Sequence, residues 1–278
     1  MEVFVVSRLE IGVLVGLKED SEEEIRKVSD LGLKSCQVVT WNPDLYVAEV
    51  GGALMAAAER HGVTVSALWA GYPGPRVWNF TEGPGTIGLV PPQYRRMRVE
   101  ALQKAARFAG RIGLPAITTH VGFIPEDPNH ADFAGTVEAM KRVAGACAEA
   151  GVEFWFETGQ ETPVTLLRTI EAVAADNLGV NLDTANLILY GKANPVDALD
   201  VFGRHVRGVH AKDGLYPTGG TELGKEVPLG QGKVNFPALI PKLKSLGYAG
   251  PLTIEREISG PQQFHDIKAG VEFLRPLC

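Results

Sequence analysis

The amino-acid sequence predicts an α/β fold, a (β/α)8 TIM barrel that forms a single domain over residues 1–278. The chain has 278 residues, of which 45% are hydrophobic and 22% charged, and a barrel of this type takes about 250 residues. Apolar segments alternate with segments of helical spacing along the sequence. No low-complexity stretch, charge block or Gly/Ser linker divides the chain, so one large domain is expected.

Eight short runs of apolar and β-branched residues predict the strands. Their alternation with helical segments is typical of a parallel sheet with helices outside it. Eight runs favour a closed barrel over an open sheet, and the N-terminal region lacks the Gly-rich strand–turn–helix fingerprint of a dinucleotide-binding fold. The predicted strands are 11–16, 36–40, 63–69, 116–120, 152–157, 178–183, 206–210 and 251–255.

Segments with helical spacing lie between these strands. Ser21 is placed to cap the first helix, and Glu24, three residues later, completes a predicted capping box. Glycines at the helix-to-strand junctions LGLKS, HGVTV, IGLPAI, AGVEF and LGYAGPL suit the left-handed residue that closes a helix. The predicted helices are 21–32, 50–60, 93–111, 133–150, 163–175, 194–202, 235–246 and 262–274.

Two connections are unusually long. Residues 69–92 follow the third strand, residues 211–235 follow the seventh, and neither has a regular periodicity. Long irregular loops in compact domains are usually lids or binding loops. Both leave the C-terminal ends of their strands, where TIM barrels have their active sites, so the functional site is expected at that end.

Composition argues against several classes of partner. The net charge of −6 and the pI of about 5.6 give no electrostatic basis for nucleic-acid binding. Three scattered cysteines, Cys36, Cys147 and Cys278, predict reduced thiols and a cytoplasmic location. No segment reaches the ~18 apolar residues of a membrane-spanning helix. The apolar N-terminus also lacks the basic start and cleavage site of a signal peptide.

The last four predicted strands each end in one ionisable residue. Because consecutive strand ends lie side by side on a barrel rim, these side chains are expected to converge. Three carboxylates without a cation would repel one another, whereas three carboxylate oxygens and an imidazole suit one Mn²⁺, Co²⁺, Mg²⁺ or Zn²⁺ ion. Singly, a carboxylate after a strand is most often a solvated loop residue or a helix cap, so the set of four carries the prediction. The candidate metal ligands are Glu157, Asp183, His210 and Glu255.

The sequence around these positions resembles the xylose isomerase-like superfamily. Within it, the chain is similar to the sugar phosphate isomerase/epimerase group, which includes D-tagatose 3-epimerase, inosose dehydratase and endonuclease IV. The resemblance covers essentially the whole chain and implies that the four strand-end residues bind one metal ion. The segments that carry it are FET (156–158), NLDTAN (181–186), GVHAKDG (208–214), LGQGKVNF (229–236) and PLTIERE (251–257).

The resemblance also implies a mechanism. In the epimerases, the metal binds two adjacent oxygens of a ketose and polarises its carbonyl group. Two glutamates, matched here by Glu157 and Glu255, face opposite sides of the substrate carbon. One glutamate removes the proton of that carbon to give a cis-enediolate, and the other returns a proton to the opposite face. Glu157 and Glu255 are therefore the predicted catalytic residues.

At two positions the sequence differs from other members of this group, and both differences bear on the predicted substrate and metal site. Many relatives have histidine three residues after the aspartate ligand, where this chain has Asn186, so the substrate hydroxyl recognised there is left open. After His210 the sequence reads AKDG and offers no Asp-x-His pair. The three-metal cluster of endonuclease IV is therefore not expected, in agreement with the acidic net charge.

Five residues are candidates for substrate binding: His120, Asn186, Lys212, Trp69 and Arg256. His120 ends the fourth strand and is expected to point into the cavity, as a substrate contact, an auxiliary ligand or a hydrogen-bonded barrel histidine. Lys212 is expected either to contact a substrate oxygen or to face solvent from a loop.

The other candidates also have two interpretations. Trp69 is either part of an apolar wall with Trp78 and Phe80 or a core aromatic residue at a strand end. Arg256 follows a ligand and alternates to the outer side of its strand, where a supporting ion pair is the simpler interpretation.

Three functions are compatible with these residues. The leading hypothesis is an enzyme, a divalent-metal-dependent sugar epimerase or isomerase that acts on a keto-sugar or related polyol. The alternative is a dehydratase or lyase of the inosose-dehydratase kind, with His120 or Lys212 as general acid, and the third is a non-catalytic sugar-binding barrel. Arg76, Lys212 and GQGK (230–233) do not form a phosphate motif, which favours a non-phosphorylated substrate. Relatives often form dimers or tetramers, so a homo-oligomer is expected.

Overall fold

Eight parallel strands close into a barrel in the computed structural model, which describes residues 8–278. The predicted domain, 1–278, also includes residues that lie outside the described part. Around the barrel the strand order is β1-β10-β7-β6-β5-β4-β3-β2, and a separate antiparallel pair is formed by β8 and β9. The strands are β1 (Ile11–Gly16), β2 (Ser35–Thr40), β3 (Thr64–Ala70), β4 (Ala116–Thr119), β5 (Glu153–Glu157), β6 (Leu178–Asp183), β7 (Val206–Ala211), β8 (Asp213–Leu215), β9 (Lys225–Val227) and β10 (Leu252–Ile254).

Helices connect the barrel strands on the outside, and two short 3₁₀ turns lie at Pro43–Leu45 and Gly203–His205. None of the helices in residues 8–278 has the length and hydropathy needed to cross a lipid bilayer. The helices are α1 (Glu22–Asp30), α2 (Ala48–His61), α3 (Gly83–Thr86), α4 (Pro92–Arg111), α5 (Ala131–Glu149), α6 (Pro163–Val173), α7 (Asn186–Leu189), α8 (Pro195–Phe202), α9 (Phe236–Ser245) and α10 (Pro261–Leu274).

The predicted (β/α)8 barrel is confirmed: eight parallel strands close and helices connect them. Each barrel strand begins and ends within one residue of its prediction, and each long helix within two. The junction glycines all have positive φ, between 60° and 83°, as expected for residues that close a helix. These glycines are Gly32, Gly62, Gly113, Gly151 and Gly247.

The predicted capping box at the start of α1 is wrong. Ser21 Oγ donates to the carbonyl oxygen of Lys18 (3.2 Å) and accepts from the Lys18 amide (3.3 Å). Glu24 pairs with Lys18 (2.6 Å) and with Lys27 (3.0 Å). The Ser21 hydroxyl is therefore bonded to the turn before the helix, and the Glu24 carboxylate is bonded to two lysines. Neither group is left to cap the helix.

The two long connections contain short elements that periodicity did not predict. The first contains α3, and the second contains the β8–β9 hairpin. The Phe80 amide donates to the Thr221 carbonyl oxygen (2.9 Å), which joins the two connections at their tips. They form one continuous structure above the C-terminal ends of the strands.

The second connection is anchored by one buried carboxylate. Asp213 is 1% exposed. Its Oδ1 accepts from the amides of Gly214 (2.9 Å) and Val234 (3.0 Å), and its Oδ2 accepts from Gly230 (3.0 Å) and Gly232 (2.9 Å). Both ends of the connection are therefore fixed to the same side chain.

Two side chains of β5, Trp155 and Glu157, share one face of the strand, because side chains alternate along a strand. A Cβ atom at Gly179 would lie 2.7 Å from Trp155 Cδ1, and one at Gly208 would lie 3.0 Å from Trp155 Cζ3. Glycine on the neighbouring strands thus makes room for the indole.

The first connection is held by Arg98 of α4, which is fully buried. Its guanidinium donates to the carbonyl oxygens of Pro73 (3.1 Å), Pro75 (2.7 Å) and Gly88 (2.6 Å). It also lies over the Tyr72 ring, with Cζ 4.6 Å from the ring centroid. One side chain therefore satisfies three backbone acceptors of this loop.

We expect Arg98→Lys to destabilise the protein by about 2–4 kcal/mol, because a single ammonium cannot reach all three buried carbonyl oxygens. Urea unfolding measures the free energy of unfolding, and limited proteolysis measures the protection of residues 71–91. Arg96→Lys is the matched control on the same helix, since the Arg96 side chain is 88% exposed. Equal unfolding midpoints for the two variants would contradict this role of Arg98.

Candidate metal centre

The four predicted ligands meet at the C-terminal ends of neighbouring strands. Asp183 of β6 is paired in register with His210 of β7, and His210 with Thr253 of β10, two residues before Glu255. One ligand atom from each of four residues lies within 4.8 Å of the other three. The set is Glu157, Asp183, His210 and Glu255.

His210 is the centre of the cluster. Its Nδ1 lies 2.9 Å from Glu157 Oε1, 3.0 Å from Glu255 Oε2 and 4.0 Å from Asp183 Oδ2. The side chains of His210 and Asp183 are fully buried, and that of Glu255 is 11% exposed. Three carboxylates thus surround one imidazole nitrogen away from bulk water.

Asp183 uses its two oxygens differently. Oδ1 accepts from the amides of Ala185 (2.9 Å) and Asn186 (2.7 Å), as in a helix cap. Oδ2 is buried and has no hydrogen-bond partner within residues 8–278. The cap interpretation therefore describes Oδ1, and Oδ2 has the unsatisfied lone pairs that a metal ligand needs.

Gln37 of β2 fixes the orientation of the His210 ring. Gln37 is 1% exposed, and its Oε1 lies 2.9 Å from His210 Nε2. Its Nε2 donates to Asn181 Oδ1 (3.3 Å), which leaves Oε1 to accept from the imidazole. The Nε2 atom of His210 therefore carries a hydrogen, so Nδ1 is the nitrogen that faces the carboxylates and that would bind an ion after losing its own hydrogen.

Three carboxylates this close together repel one another unless positive charge or protons lie between them. Burial alone would lower the pKa of His210, but Glu255 and Glu157 raise it to about 10. Burial raises the pKa of Asp183 well above its ordinary value, against the attraction of Lys212. In the free protein, protons therefore reduce the repulsion, and a divalent ion would take over this role. The donor set and the unsatisfied Asp183 Oδ2 fit such an ion.

Lys212 lies beside the cluster and is 1% exposed, so the solvent-facing interpretation is wrong. Its Nζ lies 3.0 Å from Glu257 Oε2, 3.3 Å from Asn186 Oδ1, 3.5 Å from Asp183 Oδ2 and 3.6 Å from Glu255 Oε2. Burial would lower the pKa of Lys212, but Asp183 and Glu255 raise it well above its ordinary value. The ammonium therefore stays charged next to the predicted ligands.

His120 and Trp69 both face Glu157. The Trp69 indole Nε1 donates to Glu157 Oε2, and His120 Nε2 lies 3.7 Å from the same oxygen. The other nitrogen of His120, Nδ1, is buried and has no partner in the described part of the chain. Trp69 thus positions a carboxylate through its N–H, in addition to forming part of the wall of the cavity.

Arg256 lies apart from the other candidates. Its Nη1 pairs with Glu226 (3.0 Å), and its Nε pairs with Asp266 of α10 (2.8 Å). Glu226 lies on β9 and Asp266 on α10, and these two pairs agree with the ion-pair interpretation, while a role of Arg256 in substrate binding stays a prediction. Glu226 also accepts from the Glu257 amide (3.1 Å), so this network supports the segment after Glu255.

Two residues near the site were not among the candidates. Gln37 is a polar residue inside the apolar run CQVVT, and Glu257 follows Glu255 by two positions on the same face of the chain. The sequence contains a signal for Gln37, since a polar side chain in a buried strand needs a partner. The signal for Glu257 is its spacing from Glu255. The partner itself depends on barrel closure, because Gln37 and His210 are 173 residues apart.

Glu161 is a further buried acid in the loop after β5, 4% exposed. Burial raises its pKa from 4.5 to about 8. The native state therefore holds this proton more tightly than the unfolded state does. Its contribution to stability is complete below about pH 4.5 and is lost as pH rises through about 8.

We expect Glu161→Gln to stabilise the protein relative to wild type more at pH 9 than at pH 6, by on the order of 2 kcal/mol. The amide never ionises, so the variant avoids the burial of a charge at high pH. Chemical denaturation at both pH values measures the difference. Glu138→Gln, a 71% exposed side chain on α5, is the control and should change little with pH. A constant Glu161→Gln effect would contradict the raised pKa.

We expect Gln37→Leu to lower the affinity for a divalent ion about 10–100-fold, because the His210 Nε2–H loses its acceptor and the ring its orientation. Competition with a chromogenic chelator for Co²⁺ or Zn²⁺ measures the affinity directly. Gln37→Glu keeps an acceptor and should retain more affinity, while His210→Ala gives the reference for loss of a ligand. Gln103→Leu on α4 is the matched control. Wild-type affinity in Gln37→Leu would exclude this positioning role.

Comparisons with known proteins agree with the barrel fold. A crystal structure of a xylose isomerase domain protein from Planctomyces limnophilus is 35% identical, with a TM-score of 0.91 and 98% of each chain covered. D-psicose 3-epimerase from Clostridium cellulolyticum H10, solved with D-tagatose, is 16% identical, with a TM-score of 0.70, 97% of this chain and 99% of that chain covered. At that identity, the second similarity shows the fold.

A sequence relative is the protein MJ1311 of Methanocaldococcus jannaschii, which is 25% identical over 181 residues. The match covers 59% of this chain and 58% of the length of that relative. Residues 25–277 match the xylose isomerase-like TIM barrel family. Since that match spans most of the sequence, the chain belongs to the xylose isomerase-like TIM barrel family.

Proposed function

We propose that the protein is a divalent-metal-dependent epimerase or isomerase that acts on keto-sugars or related polyols. The observation that carries this proposal is the convergence of Glu157, Asp183, His210 and Glu255 within 4.8 Å at the C-terminal end of the barrel. Structural relatives described as sugar 3-epimerases share the fold, which supports the same class of reaction.

The four ligands would hold one ion, and Mn²⁺, Co²⁺, Mg²⁺ and Zn²⁺ all suit three carboxylate oxygens and one imidazole. When bound, the ion would polarise a substrate carbonyl group and stabilise negative charge on its oxygen. Gln37 directs Nδ1 of His210 toward this position, and Asp183 Oδ2 is free to contribute a ligand.

Glu157 and Glu255 are proposed as the two bases. One carboxylate removes the proton from the carbon next to the carbonyl group, which leaves an enediolate, and the other delivers a proton to the opposite face. Trp69 and His120 hold Glu157 Oε2 on one side of the cluster. Glu255 Oε2 lies 3.0 Å from His210 Nδ1 and 3.6 Å from Lys212 Nζ. Burial would raise the pKa of Glu255, but Lys212 and His210 lower it, so the carboxylate is ionised and can accept a substrate proton.

His120 gives a specific reason to keep the dehydratase or lyase as the second candidate. Its ring lines the cavity together with Glu157 and Glu257, so it is placed to donate a proton toward a leaving hydroxyl. Lys212 keeps its charge and holds Glu257 through an ion pair (3.0 Å). Both reactions begin with the same proton abstraction, and only loss of water separates them. The third possibility, a non-catalytic sugar-binding barrel, would show no exchange of that proton.

The remaining expectations concern the substrate and the assembly. Lys212 is already surrounded by carboxylates, which agrees with a non-phosphorylated substrate. The homo-oligomer and the cytoplasmic location stay predictions from the sequence.

We expect Glu157→Gln and Glu255→Gln each to lower epimerisation at least about 10³-fold, because each removes one of two bases. The two variants should differ in deuterium exchange from D₂O: each should label only the epimer whose base remains. NMR of a keto-sugar panel measures exchange and product, after removal of any paramagnetic ion. The metal content of each variant is measured in parallel, so that loss of a base is distinguished from loss of a ligand.

Glu153→Gln is the matched control, since Glu153 lies at the opposite end of the same strand and accepts from Trp155 Nε1 (2.6 Å). It should keep full activity. Full activity in either Glu157→Gln or Glu255→Gln would exclude the two-base mechanism. Water loss from the substrate in the wild type would select the dehydratase.

A further inference from the structure

Lys212 is a buried charge that takes no part in the proton transfers proposed above. Its side chain is almost fully buried beside the metal ligands. Burial of an ammonium group is strongly unfavourable unless the surrounding groups compensate its charge. The atoms around Nζ therefore indicate what this side chain does.

Four side-chain oxygen atoms surround the Lys212 Nζ. Glu257 Oε2 (3.0 Å) and Asn186 Oδ1 (3.3 Å) lie within hydrogen-bond distance. Asp183 Oδ2 (3.5 Å) and Glu255 Oε2 (3.6 Å) lie within ion-pair distance. An all-oxygen set rich in carboxylates is what a hard cation binds. The four oxygens therefore form a cation site, and the ammonium of the chain itself occupies it.

The backbone of Lys212 fixes the position of this ammonium. Thr184 is fully buried, and its hydroxyl donates to the Lys212 carbonyl oxygen (2.6 Å) and accepts from the Lys212 amide (3.2 Å). The next residue, Asp213, accepts from amides at both ends of the second connection. The base of the side chain is therefore held next to the end of β6, and its cationic end lies among the four oxygens.

Two of these oxygens also belong to the predicted metal ligands. Asp183 Oδ2 lies 4.0 Å from His210 Nδ1, and Glu255 Oε2 lies 3.0 Å from it. A divalent ion bound to these two oxygens would share them with the ammonium. Like charges repel, and the repulsion is strong at short range away from bulk water. The ammonium therefore compensates the carboxylates when no ion is bound, and it weakens their attraction for an ion.

We propose that the Lys212 ammonium is a second, built-in cation of the metal centre. It occupies a monovalent-cation site, holds two ligand oxygens in place without a divalent ion, and lowers the affinity of the centre for that ion. This inference rests on the one-ion centre of the proposed function and makes Lys212 a positioning residue. Its effect on ion affinity is opposite in sign to that of Gln37, which supports a ligand without competing for it.

Lys212→Met tests the charge, because methionine keeps most of the volume of the side chain and removes the ammonium. We expect the affinity for Co²⁺ or Zn²⁺ to rise by about tenfold or more, measured by competition with a chromogenic chelator. The unfolding midpoint of the metal-free protein should fall, because buried carboxylates lose a compensating charge. Lys225→Met, at an exposed position on β9, is the matched control and should change neither quantity. Unchanged or weaker ion binding in Lys212→Met would overturn the inference.

Lys212→Ala tests the site, because it empties the place of the ammonium. The unfolding midpoint of the metal-free protein is measured in ammonium chloride and in tetramethylammonium chloride at equal ionic strength. We expect ammonium to raise the midpoint of Lys212→Ala relative to tetramethylammonium, which is larger and has no N–H donor. Wild type and Lys212→Met should show no such difference, since their own side chains fill the site. Equal midpoints of Lys212→Ala in the two salts would overturn the cation site.

The two variants separate this inference from the proposed function. If Lys212→Ala does not fold, the sign of the change in ion affinity in Lys212→Met decides. The comparison of the two salts uses no divalent ion, so it tests the cation site whether or not the wild type binds one. Absence of divalent-ion binding to the wild type would overturn the proposed function.

Discussion

Three carboxylates held out of water around one imidazole are the constraint on which the rest of this structure depends. Unpaired buried charges are strongly unfavourable, so each neighbour of the cluster supplies a proton, a donor or a positive charge. His210 and Lys212 bring the charge, and Trp69 donates to Glu157. The barrel makes this possible because its strand ends approach one rim from separate parts of the sequence.

The fold and the ligand set follow from local patterns. Alternation of strand and helix predicted the barrel, and a ligand-type residue at the end of each of the last four strands predicted the cluster. The register of β6 with β7 places Asp183 beside His210, as expected for two residues that each end their strand. Alternation also predicted an ion pair for Arg256, which pairs with Asp266 of α10. These features could be predicted because each depends on one strand and its position in the barrel.

The features that the sequence did not reveal depend on contacts between distant segments. The buried position of Lys212 depends on partners from distant segments, among them Asn186 (3.3 Å) and Asp183 (3.5 Å). Gln37 finds His210 only when the barrel closes. The Ser21 hydroxyl could bond either the amides at the start of α1 or the backbone of Lys18. Sequence rules for helix caps do not decide between these two partners. In each case the missing information is which of several compatible partners is nearest in space.

The carboxylate of Asp213 has a consequence for how this site changes over time. It binds amides at both ends of the connection after β7, so the base of this connection is fixed, and residues 216–224 form the loop between β8 and β9. Insertions or exchanges in residues 216–224 would reshape the cavity wall to which Leu223 belongs, while the anchored base stays in place. Under the proposed function, selection can therefore change which substrates are accepted without disturbing the proposed catalytic groups, and the same loop is the natural segment to randomise in a directed-evolution library.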